Sequence, residues 1–192
     1  MFSFFAYLSR MKLIKRWSLM RSVQPENIQE HSHQVAVIAH CLAEIDNRLF
    51  GAENDCAKIA LLGIYHDVGE VIVGDLPTPV KYFNPEIKQS YSQIENIAKE
   101  KLLNMLPEEL REAYVPLLFA DEECREGQLV KAADKICAYI KCLEEVTAGN
   151  GEFNLAKQSI ERDLEKYRKI PAVQWFMEHC IQAFSCTLDE LG

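Results

Sequence analysis

The chain has 192 residues, a formal net charge of -8 and 48% apolar residues. That length supports one well-developed core, no apolar run approaches the roughly 20 residues needed to span a bilayer, and the acidic balance argues against a nucleic-acid polymer as substrate. It argues far less against a small phosphate ester. Seven cysteines (Cys41, Cys56, Cys124, Cys137, Cys142, Cys180 and Cys186) are scattered without zinc-like spacing and read as reduced, structural residues. The apolar Met1–Ala6 has no positive region ahead of it, as a signal peptide would. The expectation is a cytoplasmic protein with a single domain over residues 1–192.

Phe2 to Met20 alternates aromatic and aliphatic residues with a basic cluster and predicts one or two short helices. Arg16 is suited to a bidentate hold on phosphate and Trp17 to walling a sugar or base. By residue type alone, however, they read as a solvated cation and a core tryptophan. Val23-Gln24-Pro25-Glu26-Asn27 is a turn-rich approach to a helix whose inner stripe is His31, Val35, Ile38, Leu42, Ile45 and Leu49, ending at Gly51. Asp55 is a credible N-cap for a second helix that reaches His66, with Ile59, Leu62 and His66 facing inward and Gly69 as its terminator. Across the short connection of residues 50–54 the two helices pack antiparallel, bringing His31 near His66.

Val71 to Asn84 holds Gly74, Pro77, Pro79 and Asn84, too many breakers for a regular element. As a loop it is placed to recognise substrate through Asp75 and Thr78, although turn chemistry alone also explains Asp75. Ile87, Tyr91, Ile94, Ala98 and Leu102 mark an amphipathic helix. Pro107 starts another with Leu110, Ala113 or Tyr114, and Leu117 on its face. Asp121-Glu122-Glu123 reads as the solvated start of the next helix rather than a metal site. That helix carries Leu129, Ala133, Ile136, Ile140 and Leu143, with Asp134 at its middle, and continues to about Thr147 before Gly149-Asn150-Gly151. Helical patterns over Phe153–Tyr167 and Val173–Leu188, divided by Pro171, complete the chain. The last is rich in aromatic residues, and its apolar excess has two outlets, the core or a second subunit. No sustained strand pattern occurs, so the class is all-α.

An inward His66-Asp67 pair needs partners, because burying a carboxylate is costly unless it is paired or coordinates a metal. His31, His66, Asp67 and Asp134 supply two imidazoles and two carboxylates from three helices, a set suited to a borderline divalent cation and poorly suited to calcium. Each residue alone reads more simply as a satisfied core group. The ordered set, with Glu70 just beyond the doublet as a spare acid or base, points to metal-assisted chemistry.

His31, the His66-Asp67 doublet and Asp134 resemble the H…HD…D signature of the HD-domain metal-dependent phosphohydrolases. Leu13–Trp17, Glu30-His31-Ser32, Tyr65–Glu70, Gly74–Phe83 and Lys131–Asp134 extend the resemblance to the bacterial 5'-deoxynucleotidases of the YfbR type, over nearly the whole chain. The doublet alone is a weak motif; combined with Arg16-Trp17 and Asp75-Leu76-Pro77-Thr78-Pro79 it is specific. The resemblance implies an HD-domain helical bundle that removes phosphate from deoxyribonucleoside 5'-monophosphates as a homodimer. It implies one divalent cation on His31, His66, Asp67 and Asp134, cobalt favoured and manganese next. Glu70 and Arg16 would be catalytic, while Arg16, Trp17, His31, Asp67, Asp75, Leu76, Pro77, Thr78 and Asp134 would contact substrate, with Trp17 crowding the 2' position. Two alternatives are an HD phosphodiesterase for cyclic or oligonucleotide substrates and a noncatalytic helical metal-binding interaction domain. Glu70, Arg16 and the Asp75 loop weigh against the latter, because a structural ion needs none of them.

Overall fold

The computed structural model describes residues 1–81 and 83–192, apart from the side chains of Thr78 and Pro79. Its helices are α1 (Phe4–Leu8), α2 (Ile28–Phe50), α3 (Cys56–Tyr65), α4 (Glu70–Val73), α5 (Thr78–Lys81), α6 (Pro85–Leu103), α7 (Glu108–Leu118), α8 (Arg125–Thr147), α9 (Asn154–Leu164) and α10 (Pro171–His179), with short 3-10 turns between some of them. The architecture is all-α: there is no β-sheet among the described residues, only an isolated antiparallel bridge between Lys15 and Asn27. Among those residues no helix is long and apolar enough to cross a membrane.

Helix boundaries follow local chemistry. Asn27 caps α2, its Oδ1 accepting the amides of Gln29 and Glu30 at 3.0 Å each, while the Glu30 carboxylate accepts the Asn27 amide. Gly51, at φ 72°, closes the same helix where a left-handed residue is needed. Asp55 caps α3 through the Lys58 amide at 2.9 Å. Asn84 caps α6 through the Ile87 amide at 2.7 Å, with Pro85 in the first turn.

The chain forms two compact units, residues 1–21, 25–33 and 64–121 in one and residues 22–24, 34–63 and 122–192 in the other. In the first, Phe4, Val68, Leu102, Leu106 and Leu118 form a buried cluster, and Tyr114 sets its ring edge-on to Phe4 and Tyr65. In the second, α2 and α3 touch closely: a Cβ on Gly63 would come within 2.7 Å of the Ala36 Cα, so only glycine fits. Asn47 bonds to Asn54 and Cys56 at the opposite end of the same pair, which makes the two helices antiparallel. Asp46, buried, is gripped by Arg125 and Asn54.

Several expectations change. The second helix stops at Tyr65, so His66 to Gly69 form a turn and Gly69, at φ -59°, leads into α4 rather than terminating α3. A Cβ there would meet the Glu95 carbonyl and the Lys99 side chain of α6 at 3.4 Å, at the edge of ordinary contact. The breaker-rich stretch after Val71 holds two four-residue helices around an irregular 74–77 segment, because Gly74 (φ 79°) ends one and the next begins only at Thr78. Ile94 and Leu49 lie outside the core, at 50% and 54% exposure, although both continue an apolar stripe. Pro107 precedes α7 as its cap residue, and Asp121–Glu123 form a turn ahead of α8, which is capped by Cys124. Pro171 stands at the divide between the last two helices as the first residue of α10, which gives way at Cys180 to a 3-10 turn instead of reaching Leu188.

Helix α8 contains a buried ion pair that sequence pattern does not reveal. Glu145 Oε1 lies 2.5 Å from Lys141 Nζ, one turn away, and the carboxylate also accepts the amides of Val23 and Gln24 and the Asn150 side chain. Lys141 in turn donates to the Gln24 carbonyl. Burial pushes the Glu145 carboxyl up, but hydrogen bonds led by that from Lys141 more than offset it and bring it down to about 2. Because the folded value lies below the ordinary 4.5, the stabilisation is complete above about pH 4.5 and is lost as pH falls toward 2. Glu145→Gln should therefore lower unfolding free energy by on the order of 3 kcal/mol at neutral pH, since it strands a buried ammonium. Urea unfolding of both proteins at pH 7 and pH 3 should show that gap narrowing in acid.

Candidate active site

The segment after α1 reaches its place through backbone pairing rather than helix packing. The Arg16 amide donates to the Glu26 carbonyl and the Ile28 amide to the Ile14 carbonyl, both at 3.0 Å. Just beyond these ties Trp17 has φ 56°, a left-handed conformation that costs a non-glycine residue on the order of 1 kcal/mol or more and is typical of functional sites. One side chain holds both candidate residues: Glu26 Oε2 accepts the Trp17 indole N–H at 2.9 Å and lies 3.0 Å from Arg16 Nε. Glu26 was not legible as a site residue, since a glutamate in a Pro-Glu-Asn turn looks solvated; its position one residue ahead of the capping asparagine was the available signal. Arg16 is neither a free surface cation nor a core residue. Its side chain is 13% exposed, and Nη1 lies 3.8 Å from Asp67 Oδ2.

His31 is fully buried in the first turns of α2. The turn after α3, closed by the Val68 amide on the Tyr65 carbonyl and the Glu70 amide on the Asp67 carbonyl, brings His66 and Asp67 to it. Asp67 Oδ2 lies 3.0 Å from His66 Nε2 and 3.8 Å from His31 Nε2, and the two imidazole centroids are 5.3 Å apart. His31, His66 and Asp134 each offer a ligand atom, and all three atoms lie within 4.8 Å of one another. Two imidazoles and a carboxylate at that spacing match the first shell of a divalent transition metal. Asp67 stands beside this set through its contacts to both histidines.

Glu70 opens α4 and is 7% exposed. Its Oε2 is buried without a hydrogen-bond partner. Burial, then the neighbouring Asp67 and Asp75 charges, push its carboxyl well above the ordinary carboxylate range, opposed by Arg16 and Lys81. Asp75, Leu76 and Pro77 are half-buried in the irregular segment between α4 and α5. Burial also raises the Asp75 carboxyl, with Arg16 acting against it. The Thr78 backbone begins α5, but its side chain lies outside the described residues. Lys81, which the motifs did not single out, adds a second cation facing Glu70, Asp67 and Asp75. Chemically, the arrangement joins a cation-binding set, a buried carboxylate able to take a proton, and a guanidinium suited to a phosphoryl group.

The family model described as 5'-deoxynucleotidase YfbR-like matches residues 3–184. The chain is 54% identical over 190 residues to a 5'-deoxynucleotidase of Vibrio parahaemolyticus, covering 98% of this chain and 97% of that one. It is also 54% identical over 193 residues to the 5'-deoxynucleotidase YfbR of Escherichia coli, covering 98% and 95%. Among solved structures, an HD-domain phosphohydrolase from Listeria innocua has a similar fold, with a TM-score of 0.85 at 24% identity over 95% of this chain and 88% of that one. With a family match over residues 3–184 that includes this His-His-Asp set, the chain belongs to the YfbR-like 5'-deoxynucleotidase family.

Proposed function

We propose that the protein hydrolyses deoxyribonucleoside 5'-monophosphates to deoxyribonucleosides and phosphate. The observation that carries this reading is a guanidinium at the edge of a metal-binding set: Arg16 lies 3.8 Å from Asp67, which itself touches both His31 and His66. His31, His66, Asp67 and Asp134 would hold one divalent cation. Bound there, such an ion supplies Lewis acidity, acidifying water and offsetting phosphoryl charge. Arg16 clamps nonbridging phosphate oxygens and stabilises the transferring group. Glu70 orients the attacking water and accepts its proton. Asp75, Leu76, Pro77 and Thr78 contact the nucleoside, and His31, Asp67 and Asp134 also face the phosphate. Trp17, fixed by its bond to Glu26, limits space at the 2' carbon.

Mixed imidazole and carboxylate donors suit cobalt, manganese, nickel, iron or zinc, and the family resemblance favours cobalt first and manganese next. A single functional domain over residues 1–192 is supported by a family match that spans both compact units. Seven free cysteines support a reducing, cytoplasmic setting, and the exposed apolar residues support a homodimer.

Metal-stripped protein should release no phosphate from deoxyadenosine monophosphate and should recover most fully with cobalt, as read by phosphate release with each ion added singly. Cyclic nucleotides and short oligonucleotides in the same assay should stay intact, and their cleavage would favour the phosphodiesterase alternative. Asp134→Asn should nearly abolish turnover and weaken metal binding in calorimetry while helical circular dichroism persists, because charge changes and volume hardly does. Unchanged affinity and rate would remove Asp134 from the site. Trp17→Ala should narrow the gap in kcat/KM between deoxyadenosine and adenosine monophosphates, since an unpaired, desolvated hydroxyl costs about 1–3 kcal/mol. An unchanged ratio would place sugar selection elsewhere.

A further inference from the structure

Two residues of helix α6 meet the segments that follow Glu70 and carry the proposed nucleoside contacts. The Tyr91 hydroxyl donates to the Gly74 carbonyl at 3.0 Å. Asp75 follows this tied position directly. Gly74 also donates its own amide to the Glu70 carbonyl at 2.7 Å, so one glycine joins α6, the Glu70 helix and the Asp75 segment. With φ 79° and nothing within 4 Å of where a Cβ would stand, Gly74 is held by these hydrogen bonds rather than by side-chain packing. One turn along α6, Glu95 pairs with Lys81 at 3.3 Å, and the Lys81 ammonium lies 4.8 Å from the Tyr91 ring centroid. The segment is thus held near both of its ends by adjacent turns of one helix. The Tyr91 ring is almost fully buried, so its hydroxyl is poorly replaced by water.

We propose that Tyr91 is a positioning residue for substrate, acting through the segment of residues 74–77, with the Glu95–Lys81 pair as the second tether. The proposal rests on the reading of this segment as the nucleoside-binding loop. Holding the loop before substrate arrives removes an ordering cost from binding, so losing the tether raises KM more than it lowers kcat.

The test compares cation-loaded wild type with Tyr91→Phe, which deletes one oxygen and keeps the ring, and with Glu95→Gln. Steady-state hydrolysis of deoxyadenosine monophosphate, metal affinity, and amide exchange over residues 70–81 are measured for each. Expected for Tyr91→Phe are a KM about fivefold higher, the loss of one ordinary hydrogen bond, a kcat within about twofold, unchanged metal affinity, and faster exchange confined to the loop. Glu95→Gln should move KM and loop exchange in the same direction by less. Unchanged KM in Tyr91→Phe overturns the proposal whether or not the loop exchanges faster. So does a fall in kcat accompanied by faster exchange throughout α6, which marks a merely structural role. A wild type that hydrolyses no deoxynucleoside monophosphate overturns the proposed function itself and is told apart by the wild-type assay alone.

Discussion

Crowding of negative charge around one guanidinium governs this site. Glu26 and Asp67 both approach Arg16, and Glu70 and Asp75 feel its charge, so four carboxylates share it with help from Lys81. Glu70 is the most deeply buried of the four, and its raised carboxyl records the cost. Such a cluster is costly to assemble in a protein interior, and a divalent cation on the adjacent histidines and Asp134 is the natural compensation. The same cation would let a doubly negative phosphate approach a site that the chain alone makes acidic. Metal binding and substrate binding are therefore electrostatically one problem.

Position is secured by different means on the two sides of that cluster. His66 and Asp67 are presented by a tight turn at a helix end, and His31 by a capped helix start, so their backbones are rigid for local reasons. Arg16 and Trp17 have no helix to hold them. Their backbone is tied to residues 26–28, their side chains share Glu26, and the Val23-Gln24 approach is fastened by Glu145 and Lys141. The left-handed conformation of Trp17 persists because these contacts over-determine it.

Division of labour along the short segments after the doublet explains why breakers and helix coexist there. A four-residue helix aims Glu70 inward, a glycine redirects the chain, and a second four-residue helix brings Lys81 back toward the acidic cluster. Neither piece is long enough to be stable alone. Both lie against α6, whose Tyr91 and Glu95 supply the missing contacts.

The sequence by itself determined the all-α class, the cap at Asp55, the stop of α2 at Gly51, and His31, His66 and Asp134 as groups able to hold a metal, because helical periodicity and the chemistry of a buried histidine beside a carboxylate are local properties. His31, His66 and Asp134 were legible as residue types that an apolar face does not tolerate idly. It did not determine where α3 ends, since an apolar stripe continues through His66 whether or not the backbone remains helical. Ile94 and Leu49 misled for the same reason: periodicity identifies a face, but only packing decides how far that face is covered. The contacts of Glu26, Lys81, Tyr91 and Glu95 were illegible because their partners are distant in sequence or are backbone groups, which no spacing encodes. The buried Glu145–Lys141 pair looks like any i, i+4 surface pair until the fold removes its water. Tertiary structure alone decided these, because burial turns ordinary polar side chains into obligatory, specifically paired ones.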